Sequence, residues 1–547
     1  MSDAPEPAYR FAPEEQPTFP GSPYAPTHPG WRRLGYVAIA LLVGVSSTLG
    51  NALVNVNVAN LSGAMGVYVA QASWLPAIYV AMNASANLTL VKARTQFGIP
   101  AVTKGLLIAY ALAGLWQFLF PGFASAVLIR AVCGMTAAAL TTLTIYNLLQ
   151  AFPAKLRPLG LVIGISIPQL GTPLARLIPV EMLALDNWRV LHLIEMALAL
   201  GVLAAISALP LPPSERSKAF QPLDLVTIAL LVPAIMLVCG VLGQGRLLWW
   251  TDTPWLGWAL AAAVPLFAIA LLIERHRKQP LLQLGWLGSI DIVRFAIVAL
   301  LVRLALAEQT YGAVGLLTSG GLTNDQLRTL FAIVAAAMVL GTIAAAATLS
   351  EKRLPYQVIA AALVIALGAW MDSNATNLTR PPQLYLSQAL IAFGTTLFIG
   401  PALLYGFIRM FRRGADHLVS FVVLFSITQN IGGLGGSALL GSYQVIAARA
   451  HVQALSEHLL AADPQVAARI FSGGAAIAKV VADPTLRTAQ GGAFLVQAMT
   501  GEANILAYND VFRLVALLAL LTALYIAYLV IFHAVRSRRK TTPEIPT

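Results

Sequence analysis

Long apolar runs separated by short polar stretches dominate the chain. Fourteen such runs lie near residues 34–58, 71–91, 100–120, 123–149, 158–178, 189–209, 223–243, 255–273, 290–317, 327–349, 356–371, 383–408, 417–446 and 509–533. Each approaches or exceeds the roughly 20 residues a helix needs to cross the hydrocarbon core. The pattern predicts an all-α integral membrane protein with short loops. Residues 1–33 carry prolines at 5, 7, 13, 17, 20, 23, 26 and 29, which predicts a disordered cytoplasmic leader. It has no basic segment followed by an apolar core, so it does not read as a signal peptide. Residues 449–508 form the one long polar connection, and residues 536–547 form a basic tail. Within that connection, HVQALSEHLL and VAARIFSGGAAIAKVVA pattern as short amphipathic helices. A surface cap and a partner-docking element are both open readings of it.

Composition sharpens this. Of 547 residues 58% are hydrophobic and 11% charged, against roughly 25% charged in soluble domains. That excludes an ordinary soluble enzyme and a disordered or collagenous chain. The formal net charge is +12, but the basic residues sit between apolar runs. Arg32 and Arg33, Lys92 and Arg94, Lys155 and Arg157, Arg275 to Lys278, Lys352 and Arg353, Arg409 to Arg413, and Arg536 to Lys540 fall in alternate connections. This is the positive-inside pattern, so both termini are expected in the cytoplasm and nucleic acid is not expected as a partner. Trp249, Trp250, Trp255 and Trp258 cluster at one outer loop, where an aromatic belt would sit. Cys133 and Cys239 lie in separate runs and offer no disulfide or metal framework.

Charges in hydrocarbon are costly and mark cavities and ion pathways. Arg130, Arg303 and Glu308 fall well inside runs. Ser47, Asn51 and Asn55 form one stripe, and Glu308 shares a face with Tyr311. Gln388 and Thr395 share another face. Interhelical hydrogen bonding is the competing reading for the amides and hydroxyls. Glu308 is the candidate proton carrier. Arg130 is either its partner or a lock between halves; Arg303, five positions away, lies on a different face. His192 and Glu195 are spaced for a second relay pair, or for an outer polar network with Arg189. Arg176 and Glu181 read as interfacial. Walker, zinc-site and nucleophile-elbow patterns are missing, so no enzyme activity or cofactor is expected and transport would draw on a proton gradient. Gly432 to Gly436 reads as close helix packing rather than a phosphate loop.

A faint repeat relates Ser166-Ile167-Pro168-Gln169 to Ser426-Ile427-Thr428-Gln429. Trp74 opens the second run, Arg130 is followed by Gly134, and Trp188-Arg189 opens the sixth. Glu274-Arg275, Pro280-Leu281-Leu282 and Arg294-Phe295 follow in order, then Gln429 to Gly436 with Arg449 and His451. Together these resemble the EmrB/QacA-type fourteen-span drug:proton antiporters of the major facilitator superfamily. The resemblance implies a six-helix half over 34–210, two inserted helices with linkers over 211–289, and a second half over 290–535. It also implies that runs one, four, nine and twelve line a central cavity, which would collect Arg130, Arg303 and Glu308. The family's span-one acid is here Ala52, and the loop around Lys92 to Gly98 has no acid. Alternating access between two halves is the expected mechanism. Amphipathic or aromatic small molecules are the implied substrates. The implied setting is a bacterial inner membrane, with a periplasmic adaptor and an outer-membrane channel as partners. A non-transporting scaffold or sensor, or an importer, remains open.

Overall fold

The computed structural model describes residues 21–411, 417–460 and 462–540, together with 12, 15–17 and 414. Arg10, Arg412, Arg413 and residues 541–547 lie outside the described residues. Nearly all of the described chain is helical. Twelve helices are long and apolar enough to cross a membrane, or thirteen if the bent pair Val58–Ala64 and Val69–Phe97 is one span.

We label the principal helices α1 (Gly30–Val56), α2 (Trp74–Phe97), α3 (Ile99–Leu119) and α4 (Phe123–Ala151). Next come α5 (Arg157–Ser166) and α6 (Gly171–Leu177), joined by the 3-10 turn Ile167–Leu170, then α7 (Arg189–Ala208). They are followed by α8 (Pro222–Leu248), α9 (Pro254–His276), α10 (Ile290–Ala305) and α11 (Glu308–Ser319). The remainder are α12 (Arg328–Ala347), α13 (Leu354–Asp372), α14 (Tyr385–Phe411), α15 (Leu418–Ser456), α16 (Pro464–Ala476) and α17 (Pro484–Lys540).

Within the first half α1 and α2 pack on α4, and α3 packs on α7. In the second half α12 and α13 pack on α14, while α10 and α15 pack on α17. The halves meet reciprocally. The second long helix of the first half, α2, packs on α15 of the second. In return α6 packs on α12. Helix α8 packs beside this joint, against both α2 and α15.

Two helix breaks follow from local chemistry. Pro168 lacks the N–H an uninterrupted helix would use, and its carbonyl accepts a hydrogen bond from Thr48 Oγ1 at 2.6 Å. The second break, at Leu306-Ala307, separates α10 from α11 and places Glu308 at the first position of α11. The run expected over 290–317 is therefore two helices, not one. The glycine run of α15 is used for close packing. A Cβ at Gly436 would lie 2.8 Å from Ala307 Cβ and 3.1 Å from Leu304 Cα.

Charged side chains tie one end of the bundle together. Lys92 Nζ donates to Asp224 at 2.6 Å, and Arg277 binds Asp224 and Glu274 at 2.7 Å each. Glu274 also accepts the N–H groups of Leu281, at 2.5 Å, and Leu282, at 3.1 Å. At this basic end Gly98 turns α2 into α3 with φ +87°, which favours glycine.

Two expectations are corrected. Residues 21–29, expected to be disordered, are held against the basic end. Tyr24 N–H donates to the Pro213 carbonyl at 3.0 Å, and Gln150 donates to the Tyr24 carbonyl at 2.9 Å. The prolines that forbid a helix here suit an extended strap whose remaining polar groups find partners. Of the two short amphipathic helices expected in 449–508, the second forms as α16, while the first segment is instead the end of a long helix and the connection is more helical than expected. Helix α15 continues to Ser456, and α17 already begins at Pro484. The 39 residues of α15 rise about 58 Å at 1.5 Å each, roughly twice the hydrocarbon thickness. With α16 packed on α17 they form a helical protrusion.

Candidate functional site

A cavity of about 520 Å³ lies between the halves. That falls in the range of small-molecule sites. Runs one, four, nine and twelve contribute, as expected, through Asn51, Thr141, Arg303 and Leu403. Helices α2, α8 and α15 contribute as well, which widens the expected lining. Both copies of the faint repeat face the cavity, one through Gln169 and the other through Gln429. Asn430, next to the second copy, donates to Asn83 Oδ1 of α2 at 2.8 Å, bridging the halves.

The predicted site residues separate into three places. Asn51, Asn55, Arg303 and Tyr311 line the cavity. Arg303 donates from Nε to the Gln429 carbonyl at 3.0 Å. Arg246 stacks over the Tyr311 ring at 5.1 Å and reaches its hydroxyl at 3.4 Å. The Asn51 Oδ1 and Gln429 Nε2 atoms are buried without a hydrogen-bond partner among the described residues.

Arg130 and Glu195 form a second site, inside the first half. Their side chains are 1% and 0% exposed and form an ion pair. Tyr110 donates to Glu195 at 3.2 Å, and His192 Nδ1 lies 3.2 Å from its other oxygen. Gln117 Nε2 lies 3.5 Å from His192 Nε2. Two expectations change here. Arg130 is neither the partner of Glu308 nor a lock between halves, because Glu195 neutralises it locally. Arg189 does not join this network; it faces Asp186 at 3.7 Å in solvent.

Glu308 and Gln388 form the third site, in the second half. Glu308 is fully buried. The Gln388 amide nitrogen donates to Glu308 Oε1 at 3.1 Å and to Asp372 Oδ2 at 2.7 Å. Asp372, at the end of α13, is 3% exposed. Neither acid has an ion-pair partner among the described residues. Glu308 Oε2 is buried with no hydrogen-bond partner. Thr395 does not belong to this site. Its hydroxyl donates to the Ile391 carbonyl of its own helix at 2.8 Å.

Sequence reasoning missed Asp372, Arg94 and Arg246. Asp372 follows the last apolar residue of its run and precedes Ser373-Asn374, so it resembled a loop residue. Arg94 and Arg246 lay just past apolar runs, where basic residues usually face water. Arg176, expected at the interface, is instead buried and donates to Asn324 Oδ1 at 2.5 Å, across the halves. Glu181 remains exposed.

No protein-family model and no curated protein matches the sequence. Solved structures do match the fold. The human organic anion transporter MFSD10 (TETRAN) superposes with a TM-score of 0.51 at 14% identity, over 90% of this chain and 100% of that one. The major facilitator superfamily proton:xylose symporter XylE gives 0.50 at 14% identity, over 90% and 95%. A structure from the proton dependent oligopeptide transporters gives 0.55 at 12% identity, over 92% and 99%. With two reciprocally packed halves around a central cavity, the chain has the helical membrane fold of the major facilitator superfamily.

Proposed function

We propose that the protein is a proton-coupled exporter of amphipathic or aromatic small molecules, working by alternating access in a bacterial inner membrane. It would have fourteen spans, as in the EmrB/QacA type, with α10 and α11 as one broken span and both termini cytoplasmic. The carrying observation is the Glu308–Gln388–Asp372 cluster. Two buried carboxylates share one amide donor and have no ion-pair partner among the described residues. Two such acids cannot both ionise cheaply, so the cluster holds and releases a proton.

Helix α11 supplies the link to substrate. Glu308 opens it, and Tyr311, three positions on, lines the cavity. Protonation would change how the first turn of α11 seats against Gln388. That displacement would carry Tyr311 and its contact with Arg246. A ligand that prefers one seating then shifts the equilibrium between the two access states. Two of the structural neighbours are named as proton-driven, which supports the reading. The protrusion of α15, α16 and α17 is the natural contact for a periplasmic adaptor leading to an outer-membrane channel.

Everted membrane vesicles test this. Respiring vesicles are given a panel of radiolabelled aromatic amphiphiles, cationic, neutral and anionic. Wild-type protein should accumulate at least one, and a protonophore should abolish the accumulation. Glu308→Gln should abolish it too, while substrate exchange without net proton movement persists. If the wild type accumulates nothing in the panel, a scaffold or sensor replaces the exporter. Uphill transport by Glu308→Gln at the wild-type rate would place the coupling proton elsewhere.

A further inference from the structure

We propose that the central cavity takes an amphipathic organic anion, a sulfonate, carboxylate or phosphate ester on an aromatic or aliphatic body. This rests on reading that cavity as the substrate site.

Arg94, Arg246 and Arg303 reach the cavity from α2, α8 and α10. No Asp or Glu lines it among the described residues. The acids of the membrane region lie elsewhere: Glu195 with Arg130, and Glu308 with Asp372 and Gln388. None of the three cavity arginines forms an ion pair among the described residues. Their hydrogen bonds go to neutral acceptors: the Leu90 carbonyl at 3.0 Å, the Tyr311 hydroxyl at 3.4 Å and the Gln429 carbonyl at 3.0 Å. A guanidinium carries five N–H donors in a planar fork, so most of this donor capacity is unspent.

A guanidinium held within a membrane protein without a counter-charge is costly and marks function. An oxyanion supplies both the missing charge and the missing acceptors, in the bidentate geometry arginine favours. The unpartnered Gln429 Nε2 adds a neutral donor beside Arg303. The walls carry Tyr79, Tyr146, Phe407 and Phe425, which suit an apolar or aromatic body. A cationic guest beside Tyr311 and Gln429 would meet the Arg246 and Arg303 guanidiniums and no acid, with Arg94 adding positive charge at the basic end of the cavity.

The test is binding to the purified full-length protein in lipid nanodiscs, using three ligands of matched size. They are naphthalene-1-sulfonate, naphthalene-1-sulfonamide and trimethyl(1-naphthyl)ammonium, anionic, neutral and cationic in turn. The sulfonate should bind at least tenfold more tightly than the other two. Arg303→Gln and Arg246→Gln should each weaken sulfonate binding at least tenfold and leave sulfonamide binding within twofold. Arg303→Lys keeps the charge and should retain part of the preference, should the glutamine variant fail to fold. Equal or tighter binding of the ammonium overturns the proposal. So does failure of the sulfonate to bind at millimolar concentration, or sulfonate affinity unchanged in both arginine variants. The assay needs no proton gradient. Anion binding without energised transport would sink the exporter reading alone, and energised transport of cations alone would sink this one.

Discussion

Both halves bury carboxylates in the membrane region, and they treat them oppositely. In the first half Glu195 is fully buried but faces Arg130, Tyr110 and His192. In the second half Glu308 and Asp372 share the Gln388 amide and have no ion-pair partner among the described residues. A buried acid with a cation beside it is a fixed pair, and its energy depends on keeping both partners. A buried acid without one is cheap only when it is neutral. On the proposed function, the same residue type serves as a structural strut in one half and as a proton store in the other. The cavity between them collects arginines instead, so in the proposed function the proton and substrate sites are separate and α11 joins them.

The comparison breaks most readily at Arg130. Arg130→Gln strands a carboxylate that Tyr110 and His192 alone cannot neutralise. Removing one partner of a buried pair costs about 3–5 kcal/mol. The thermal unfolding midpoint in detergent should fall steeply, and Glu195→Gln should produce a similar fall by stranding Arg130. The double variant should lose less than the two singles together, because the charges disappear as a pair. Strict additivity would mean that the pair is not the strut described.

Glu308→Gln and Asp372→Asn should behave differently in the same assay. Each replaces a buried acid that has no counter-charge among the described residues by a neutral amide, so stability should stay within about 1 kcal/mol of wild type or rise. A loss as large as that of Arg130→Gln would reveal an unrecognised counter-charge and erase the contrast between halves. Gln388→Met is the intermediate case. It removes the donor that both acids share, and hydrogen bonds to charged groups are worth about 1.5–3 kcal/mol. Uphill transport should fall roughly tenfold, in line with that range. Exchange should fall less, because the cavity residues are untouched.

Hydropathy alone revealed the fold class, because each span must hide its backbone within its own helix. It revealed less about the ends of helices. Residues 484–508 continue α17 as a helix although they hold no long apolar run, only short patches such as Phe494-Leu495-Val496 and Ile505-Leu506. Glu308 was legible since an acid well inside an apolar run has few innocent explanations. Its partner Asp372 was not, since it sits where apolar sequence gives way to polar. The Arg130–Glu195 pair spans 65 positions. Spacing along a chain exposes only neighbours on one helix, so His192 was visible beside Glu195 while Arg130 was not.

The smallest effect is expected at Thr395. Its position, seven residues from Gln388 on the same helix, made it a candidate for the transport path. Yet its hydroxyl is buried against the Ile391 carbonyl of its own helix, at 2.8 Å. Thr144 of α4 makes the equivalent bond in the first half, to the Leu140 carbonyl at 2.9 Å. Bonds of this kind satisfy the hydroxyl locally, and by bending the helix they slightly destabilise it. Thr395→Val and Thr144→Val preserve shape and remove only that bond. Both should leave energised transport within twofold of wild type, with unfolding midpoints unchanged or slightly raised. A tenfold loss of transport in Thr395→Val, with normal loss-free expression and exchange, would mean that its hydroxyl leaves Ile391 during the cycle. The second half would then hold a proton path longer than the two acids and their amide.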